Sequence, residues 1–368
     1  MRFLFHWATL STAIALSTAA TAADSYFSAT TDANTIINSN DDDVVLASCN
    51  NLSSCNDNCS DGCNSGSGLT CRNTPMRFKS GACGCGDWLS NTVAFSGAEA
   101  FKSIGDTSLP PGGATGYMNS AGFVNGLNTG FRIGGSKIRG QVGGSFGVYD
   151  LKGRDTTSPR QPENQGFLTT GVFKRSNIDA AERLAWGLVY DQLWDHQYGV
   201  SASDIYVGQF RGILGLALDP CNEVGFWGTA HTNSSPLTGF SFGQSVQAID
   251  QYNLFWNHNY AFGGRSMLYA GLTDHSSIGS WTTGTQLIAP MSQRVSLYGN
   301  SAFLFPSSTR GLIGSNELLW SVSAGLSYSF GCKAVSRNIS GQCGLPLQQV
   351  ANNGTFMMGN KTTTLIPN

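Results

Sequence analysis

The stretch Glu317 to Phe330, ELLWSVSAGLSYSF, alternates with a period of two along its whole length. Leu318, Trp320, Val322, Ala324, Leu326, Tyr328 and Phe330 fall on one face. Leu319, Ser321, Ser323, Gly325, Ser327 and Ser329 fall on the other. A strand sends successive side chains to opposite faces, so this is a ribbon greasy on one side and small and polar on the other. It is longer than most soluble strands and about the length that crosses a bilayer at a slant.

The chain offers no other way across a membrane. Beyond residue 22 there is no run of eighteen apolar residues, so helical spanning is not expected. A chain that crosses lipid with strands must close its sheet, because only closure pairs every backbone donor and acceptor. Composition fits such a wall: 12% of residues are charged and 46 of 368 are glycine, a balance unusual for a soluble globular protein. The net charge of −2 gives no footing for nucleic acid, and no nucleic-acid partner is expected.

Residues 1–22 read as a secretory signal. Arg2 supplies the positive start, Phe3 to Ala19 the apolar segment, and Ala20-Thr21-Ala22 the small-residue cleavage site. Residues 23–88 are polar, rich in Asn, Asp, Ser, Thr and Gly, and too poor in large apolar groups to build a core. They hold Cys49, Cys55, Cys59, Cys63, Cys71, Cys83 and Cys85. In an exported chain such density points to disulfides, and with neither a histidine nor a CxxC pair in the segment no metal site is expected. This segment is the expected contact for a cell-wall or envelope partner.

Residues 89–331 carry the β pattern. About twelve strands are expected, starting near Thr92, Ala121, Lys137, Gln165, Glu182, Ile205, Glu223, Val246, Gly264, Gly279, Gln293 and Glu317. The first, seventh and eighth are ambiguous in facing, and Asp250 falls on the wrong face in one register. The connections alternate in length. Gly134-Gly135-Ser136, Ser176 to Ala181, Asp219 to Asn222, Phe262-Gly263 and Pro290 to Ser292 are short. Lys102 to Ser120, Asp150 to Asn164, Asp195 to Asp204, Thr232 to Ser245 and Pro306 to Asn316 are longer, while Asp274 to Ile278 breaks the rule. Short turns on one rim and long loops on the other mark an outer-membrane barrel, with periplasmic turns and external loops.

The remaining cysteines agree with that sidedness. Cys221 sits in a short turn, Cys332 follows the last strand, and Cys343 lies in the closing segment, residues 332–368. All ten cysteines therefore fall on the periplasmic side, and Cys332 with Cys343 is the preferred pair. The closing segment itself, polar with Gly344-Leu345-Pro346-Leu347 and Asn352-Asn353-Gly354, is expected to be an extended periplasmic tail.

Catalytic signatures are missing: there is no phosphate-binding glycine loop, no GxSxG and no HExxH. No cofactor and no catalytic residue are expected. Asp195-His196 and Asp274-His275 lie near the outer rim, and a hydrolase there is one competing reading. Arg132, Arg139, Arg183, Arg211 and Arg294 project into the lumen on the inward register, with Asp191 further up. Fixed charges lining a narrow pore bias which ions pass; the competing reading has them plug the barrel or line its turn rim. Trp186, Tyr190, Trp194, Trp227, Trp256, Trp281, Trp320 and Tyr328 are expected to form interfacial girdles.

Two resemblances bear on this. The run Ser323-x-Gly325-x-x-Tyr328-x-Phe330 is similar to the closing-strand signal of bacterial outer-membrane barrels, though residues follow it here. The segments NTVAFSGAEAFKSIGD from Asn91, RGQVGGSFGVYDLKGR from Arg139, AWGLVYD from Ala185, NYAFGGRSMLYAG from Asn259, VSLYGN from Val295 and GLPLQQVANNGTF from Gly344 resemble an uncharacterised bacterial family of exported β-rich proteins. That resemblance implies a surface or outer-membrane protein and brings no ligand or catalytic residues. The expectation is an all-β, antiparallel up-and-down transmembrane barrel in the outer membrane, in contact with its lipid and with small solutes or ions. It serves as a narrow porin-like channel or a structural part of the envelope. A soluble, secreted β-sandwich acting in adhesion through its loops is the other alternative.

Overall fold

A computed structural model of the chain describes residues 88–104, 119–151, 161–199, 202–237, 245–274, 279–306, 318–331, 342 and 344–361. Segments 1–22 and 23–87, with Cys332 and Cys343, lie outside the described residues.

Twelve strands form a closed barrel: β1 (Thr92–Lys102), β2 (Ser120–Arg132), β3 (Arg139–Tyr149), β4 (Glu163–Lys174), β5 (Leu184–Tyr198), β6 (Ser203–Ala217), β7 (Asn222–His231), β10 (Gln251–Asn259), β11 (Arg265–Thr273), β12 (Gly279–Pro290), β13 (Val295–Pro306) and β14 (Leu319–Ser329). Each pairs antiparallel with its neighbours, and β1 meets β14 in register from Val93↔Ser329 to Lys102↔Trp320. The barrel sheet therefore has no free edge, and the two-layer sandwich is ruled out. Among the described residues, no helix is long and apolar enough to cross a membrane.

The alternation read in the sequence is realised with the greasy face outward. Along β14, Ser321, Ser323 and Ser329 are buried while Val322 and Leu326 are exposed. The same holds for Val142 and Phe146 outside against Gln141 and Tyr149 inside, and for Phe210 and Leu214 outside against Gln209 and Arg211 inside. Leu254 is 71% exposed in the middle of β10. In water that arrangement would be inverted, since apolar burial is the main force that holds a soluble core together.

Two corrections come from the strands that were ambiguous in sequence. The inner face of β1 carries Phe95 and Phe101 beside Glu99, while Ala94, Ser96, Ala98 and Ala100 lie outward, so its two faces do not differ in polarity as those of its neighbours do. Val246 does not begin a barrel strand. Residues Ser245–Ala248 form β9, which joins β8 (Ser234–Pro236) and β15 (Met358–Lys361) in a separate three-stranded sheet. The barrel strand starts at Gln251, leaving Asp250 at the rim, where its Oδ1 accepts from the His231 N–H at 2.6 Å. The expected long loop from Asp195 also shrinks, because β5 and β6 continue through a bulge to Tyr198 and Ser203.

The turns of one rim are held by local bonds. Asp219 accepts from the N–H groups of Cys221 and Asn222 at 2.7 and 2.8 Å. Burial raises its pKa, but these bonds and those from the Asn222 side chain outweigh it and leave the carboxyl below its ordinary value. Cys221 lies in this turn. Glu182 pairs with Lys137 and Lys174, and the Lys137 hydrogen bond does most to hold its carboxyl below the usual range.

Candidate functional site

The lumen is the site, and the largest surprise is what occupies it. Residues 344–358 do not trail away from the short-turn rim as an extended tail. They enter the barrel there and run along its interior to the long-loop rim, where Met358–Lys361 pairs with β9. The physical reason is that the inner wall is a surface of amides and hydroxyls that a backbone can satisfy. Asn128 Nδ2 and Gln141 Nε2 both donate to the Gln348 carbonyl, at 2.9 and 2.6 Å, and Gln141 Oε1 accepts the Gln348 N–H at 3.3 Å. Thr169 Oγ1 accepts the Ala351 N–H at 2.9 Å, and Gln209 Nε2 donates to the Thr355 carbonyl at 3.1 Å. Four strands, β2, β3, β4 and β6, thus share the grip on one segment.

Packing completes it. Val350, Ala351, Phe356, Met357 and Met358 are buried, and the Phe356 ring lies 5.9 Å from that of Phe167. The segment folds back at Asn352, whose Oδ1 accepts from the Gly354 and Thr355 N–H groups, both at 3.0 Å. It enters through Gly344, which has φ +81° and an Asn91 side chain where a Cβ would stand. The wall makes room as well: a Cβ on Gly143 would meet a Val350 methyl at 2.7 Å.

The expected lumen residues divide. Arg139, Asp191 and Arg211 are buried on the inner face. Asp191 faces Arg211, with Nε 2.9 Å from Oδ2 and Nη2 3.0 Å from Oδ1, and accepts further bonds from Thr169 and Gln209. Arg211 also donates to the Gln349 carbonyl at 2.8 Å, so the pair is part of the grip. Arg132, Arg183 and Arg294 are not on the lumen wall; they are exposed at the short-turn rim, where Arg294 reaches the Tyr328 hydroxyl at 3.1 Å. These three stand at or beyond strand ends, where the inner face opens to solvent.

Several inner charges escaped the sequence reading. Toward the long-loop rim, Glu99 accepts from the Tyr149 hydroxyl at 2.6 Å, Glu163 from Ser120 at 2.9 Å, and Asp195 from Gln165 at 2.9 Å. Toward the short-turn rim, Arg175 and Arg265 reach Gln342. The lumen is therefore acidic at one end and basic at the other. The inward alternation was a usable signal for Glu163 and Asp195, whereas Glu99 was hidden because the faces of β1 do not differ in polarity.

Trp227 is another correction. It is buried inside the barrel, edge-on to Tyr269 with centroids 5.1 Å apart, and so belongs to no girdle. Trp256 lies outside toward the turns, and Trp194 and Trp281 lie outside toward the loops. At that outer rim, His231 pairs with Asp250 and His196 with Asp204.

Between wall and tail, the described residues leave open space in the lumen. A cavity of about 170 Å³ is lined by parts of β1, β2, β13 and β14, and another of about 60 Å³ by parts of β6, β7, β10 and β11.

Residues 91–358 match a family described as "Family of unknown function (DUF6666)". No curated protein matches the chain. Among solved structures, a Pseudomonas aeruginosa FadL homologue is similar at 10% identity and a TM-score of 0.36, covering 65% of this chain and 89% of that one. The β domain of the Bordetella autotransporter BrkA is 14% identical with a TM-score of 0.30, covering 65% and 98%. An anion-selective porin from Comamonas acidovorans is 10% identical with a TM-score of 0.28, covering 64% and 97%. At such scores the fold rests on this chain's own strand ladder.

Proposed function

The chain belongs to the DUF6666 family, and from that premise we propose that it is an outer-membrane barrel forming a narrow, porin-like passage held shut by its own C-terminal segment. The membrane placement is supported by the outward apolar face. Strands of about eleven residues rising ~3.3 Å each and tilted ~40° span roughly 25 Å, the height of such a band. In lipid, the outward Leu, Val and Phe side chains have the solvent they need.

The observation that carries the passage is the way the lumen is filled. Roughly eight strands enclose just enough room for the wall's own side chains. Twelve enclose more: large residues such as Phe167, Trp227 and Tyr269 point inward, but so do small ones such as Gly143, Ser145 and Ser323, and the tail takes up the space these leave. The obstruction is a separate length of chain, held by hydrogen bonds each worth about 0.5–1.5 kcal/mol net and by the packing of Val350, Phe356, Met357 and Met358. Such a segment can leave without opening the sheet; side chains of the wall itself cannot.

Planar-bilayer recording of the purified full chain tests this against a variant carrying Gln141→Ala and Gln209→Ala. The wild type is expected to pass rare, brief current steps and the variant to open more often. Silence from a variant whose tail is shown by amide exchange to be released would refute the passage and leave a structural role in the envelope.

A further inference from the structure

Glu223 of β7 is buried on the inner wall toward the short-turn end, and among the described residues its carboxylate accepts no hydrogen bond. Its side chain leans across β6 over Gly215, where a Cβ would meet Glu223 Oε1 at 2.0 Å. The missing side chain at 215 is what lets the carboxylate lie there. Arg175 and Arg265 balance its charge through space. Their hydrogen bonds go to the tail instead, from Arg175 to Gln342, Leu345 and Pro346 and from Arg265 to Gln342. A field does not fill lone pairs, and a buried acceptor left without a donor costs about 1–3 kcal/mol, more when charged.

The cavity of about 60 Å³ lies against this carboxylate. Glu223 lines it with Trp227, Phe255 and Asn257, and the tail closes it with Leu347 and Thr355. Asn257 stands directly opposite Glu223 across the β7–β10 ladder. The Phe255 ring lies over Gly225, where a Cβ would meet Cε1 and Cζ at 2.7 Å. Two more polar atoms of these residues have no partner: Asn257 Oδ1, an acceptor, and Trp227 Nε1, a donor. Asn257 is 9% exposed and Trp227 4%. The set calls for a molecule that donates to two oxygens and accepts from an indole. Charge narrows the choice. Arg175 and Arg265 also line the cavity and oppose a cation, Glu223 opposes an anion, and Arg211 is already matched by Asp191. Where one water needs about 10–15 Å³, this volume takes roughly four to six heavy atoms.

We propose that the cavity is a lumenal site for a small neutral primary amide. Its N–H groups lie on Glu223 and Asn257, its body on the Phe255 ring, and its carbonyl toward Trp227 Nε1. The site deepens the reading of an occluded passage by naming a solute class; it rests on the tail's lying in the lumen and not on any flow of current.

Titrations of the full chain in detergent test it, read by NMR on the indole N–H signals of isotope-labelled tryptophan, with the Trp227 signal assigned from Trp227→Phe. The probes share one shape: acetamide, acetone, acetate and acetamidinium. Acetamide is expected to shift the Trp227 signal saturably and to bind about fivefold or more tightly than acetone, which has no donor, or than either ion. Glu223→Gln keeps the size and removes the charge, and is expected to bring acetate level with acetamide. Gly215→Ala keeps the charge but crowds the carboxylate off the wall, and is expected to weaken acetamide about fivefold; it decides the matter if Glu223→Gln does not assemble. Acetone as tight as acetamide, either ion tighter, no saturable shift, or an unchanged Gly215→Ala variant would each overturn the site. Amide exchange on the same samples separates the two failures. A protected tail with no acetamide preference removes only the ligand site, while an unprotected tail removes the occluded passage itself.

Discussion

Replacing Gln141 with alanine should loosen the C-terminal segment by a measurable and calculable amount. Gln141 is fully buried on β3 and holds residue 348 at both ends of its amide. After substitution the Gln348 carbonyl keeps Asn128 Nδ2 at 2.9 Å, but the Gln348 N–H is left with no partner. One lost net hydrogen bond is worth about 0.5–1.5 kcal/mol and a buried orphan donor costs about 1–3 kcal/mol. Together they come to about 1.5–4.5 kcal/mol. At 1.4 kcal/mol per factor of ten, that shifts the docked-to-released ratio by roughly 10- to 1600-fold. Hydrogen exchange followed by mass spectrometry reads this directly, because amide protection reports the free energy of local opening. Peptides covering residues 344–357 should exchange faster by that factor, while those of β5 and β6 stay as slow as before. A tail that exchanges as slowly in the variant as in the wild type would refute the claim that wall amides hold it. So would a wild-type tail that exchanges like a free peptide.

Three further outcomes follow from particular contacts. Leu254→Arg places a charge at the middle of the outward face of β10 and should cost about 2–4 kcal/mol in a bilayer. Urea unfolding from lipid vesicles measures that cost, and a shift near zero would mean this face meets water. Asp191→Asn leaves the buried Arg211 uncompensated, and removing one partner of such a pair costs about 3–5 kcal/mol; the same titration should show Asp191→Leu with Arg211→Met to be milder, and a double variant no better than the single would count against the pairing. At the turn rim, Glu182 and Asp219 both have pKa values lowered by folding, so their contribution is complete above the unfolded values and is lost as pH falls through the depressed ones. The thermal midpoint should therefore fall on going from pH 5 toward the pH range below about 4, by less in a Glu182→Gln, Asp219→Asn variant, and equal slopes would remove these two groups as the cause.

Much of the barrel was legible before any coordinates, because a wall one residue thick writes its two environments directly into alternate positions. Glu317 to Phe330 told which face of the sheet points outward. The same rule failed where the two faces do not differ in kind. In β1, aromatic residues point inward and alanines outward, so the alternation carries no sign. Around Val246 a short strand belongs to a second sheet, and its partner lies more than a hundred residues away in sequence at Met358–Lys361.

The sequence by itself determined the closed wall and its orientation, since each strand needs only its neighbours and its own alternation to choose a face. It could not determine the fate of residues 344–361, because a polar segment reads alike whether water or a ring of amides satisfies its backbone. Only the assembled wall presents Asn128, Gln141, Thr169, Gln209 and Arg211 at once, from four strands on one side of the barrel, to a segment more than a hundred residues further along the chain. That long-range pairing turned an expected tail into the occupant of the lumen.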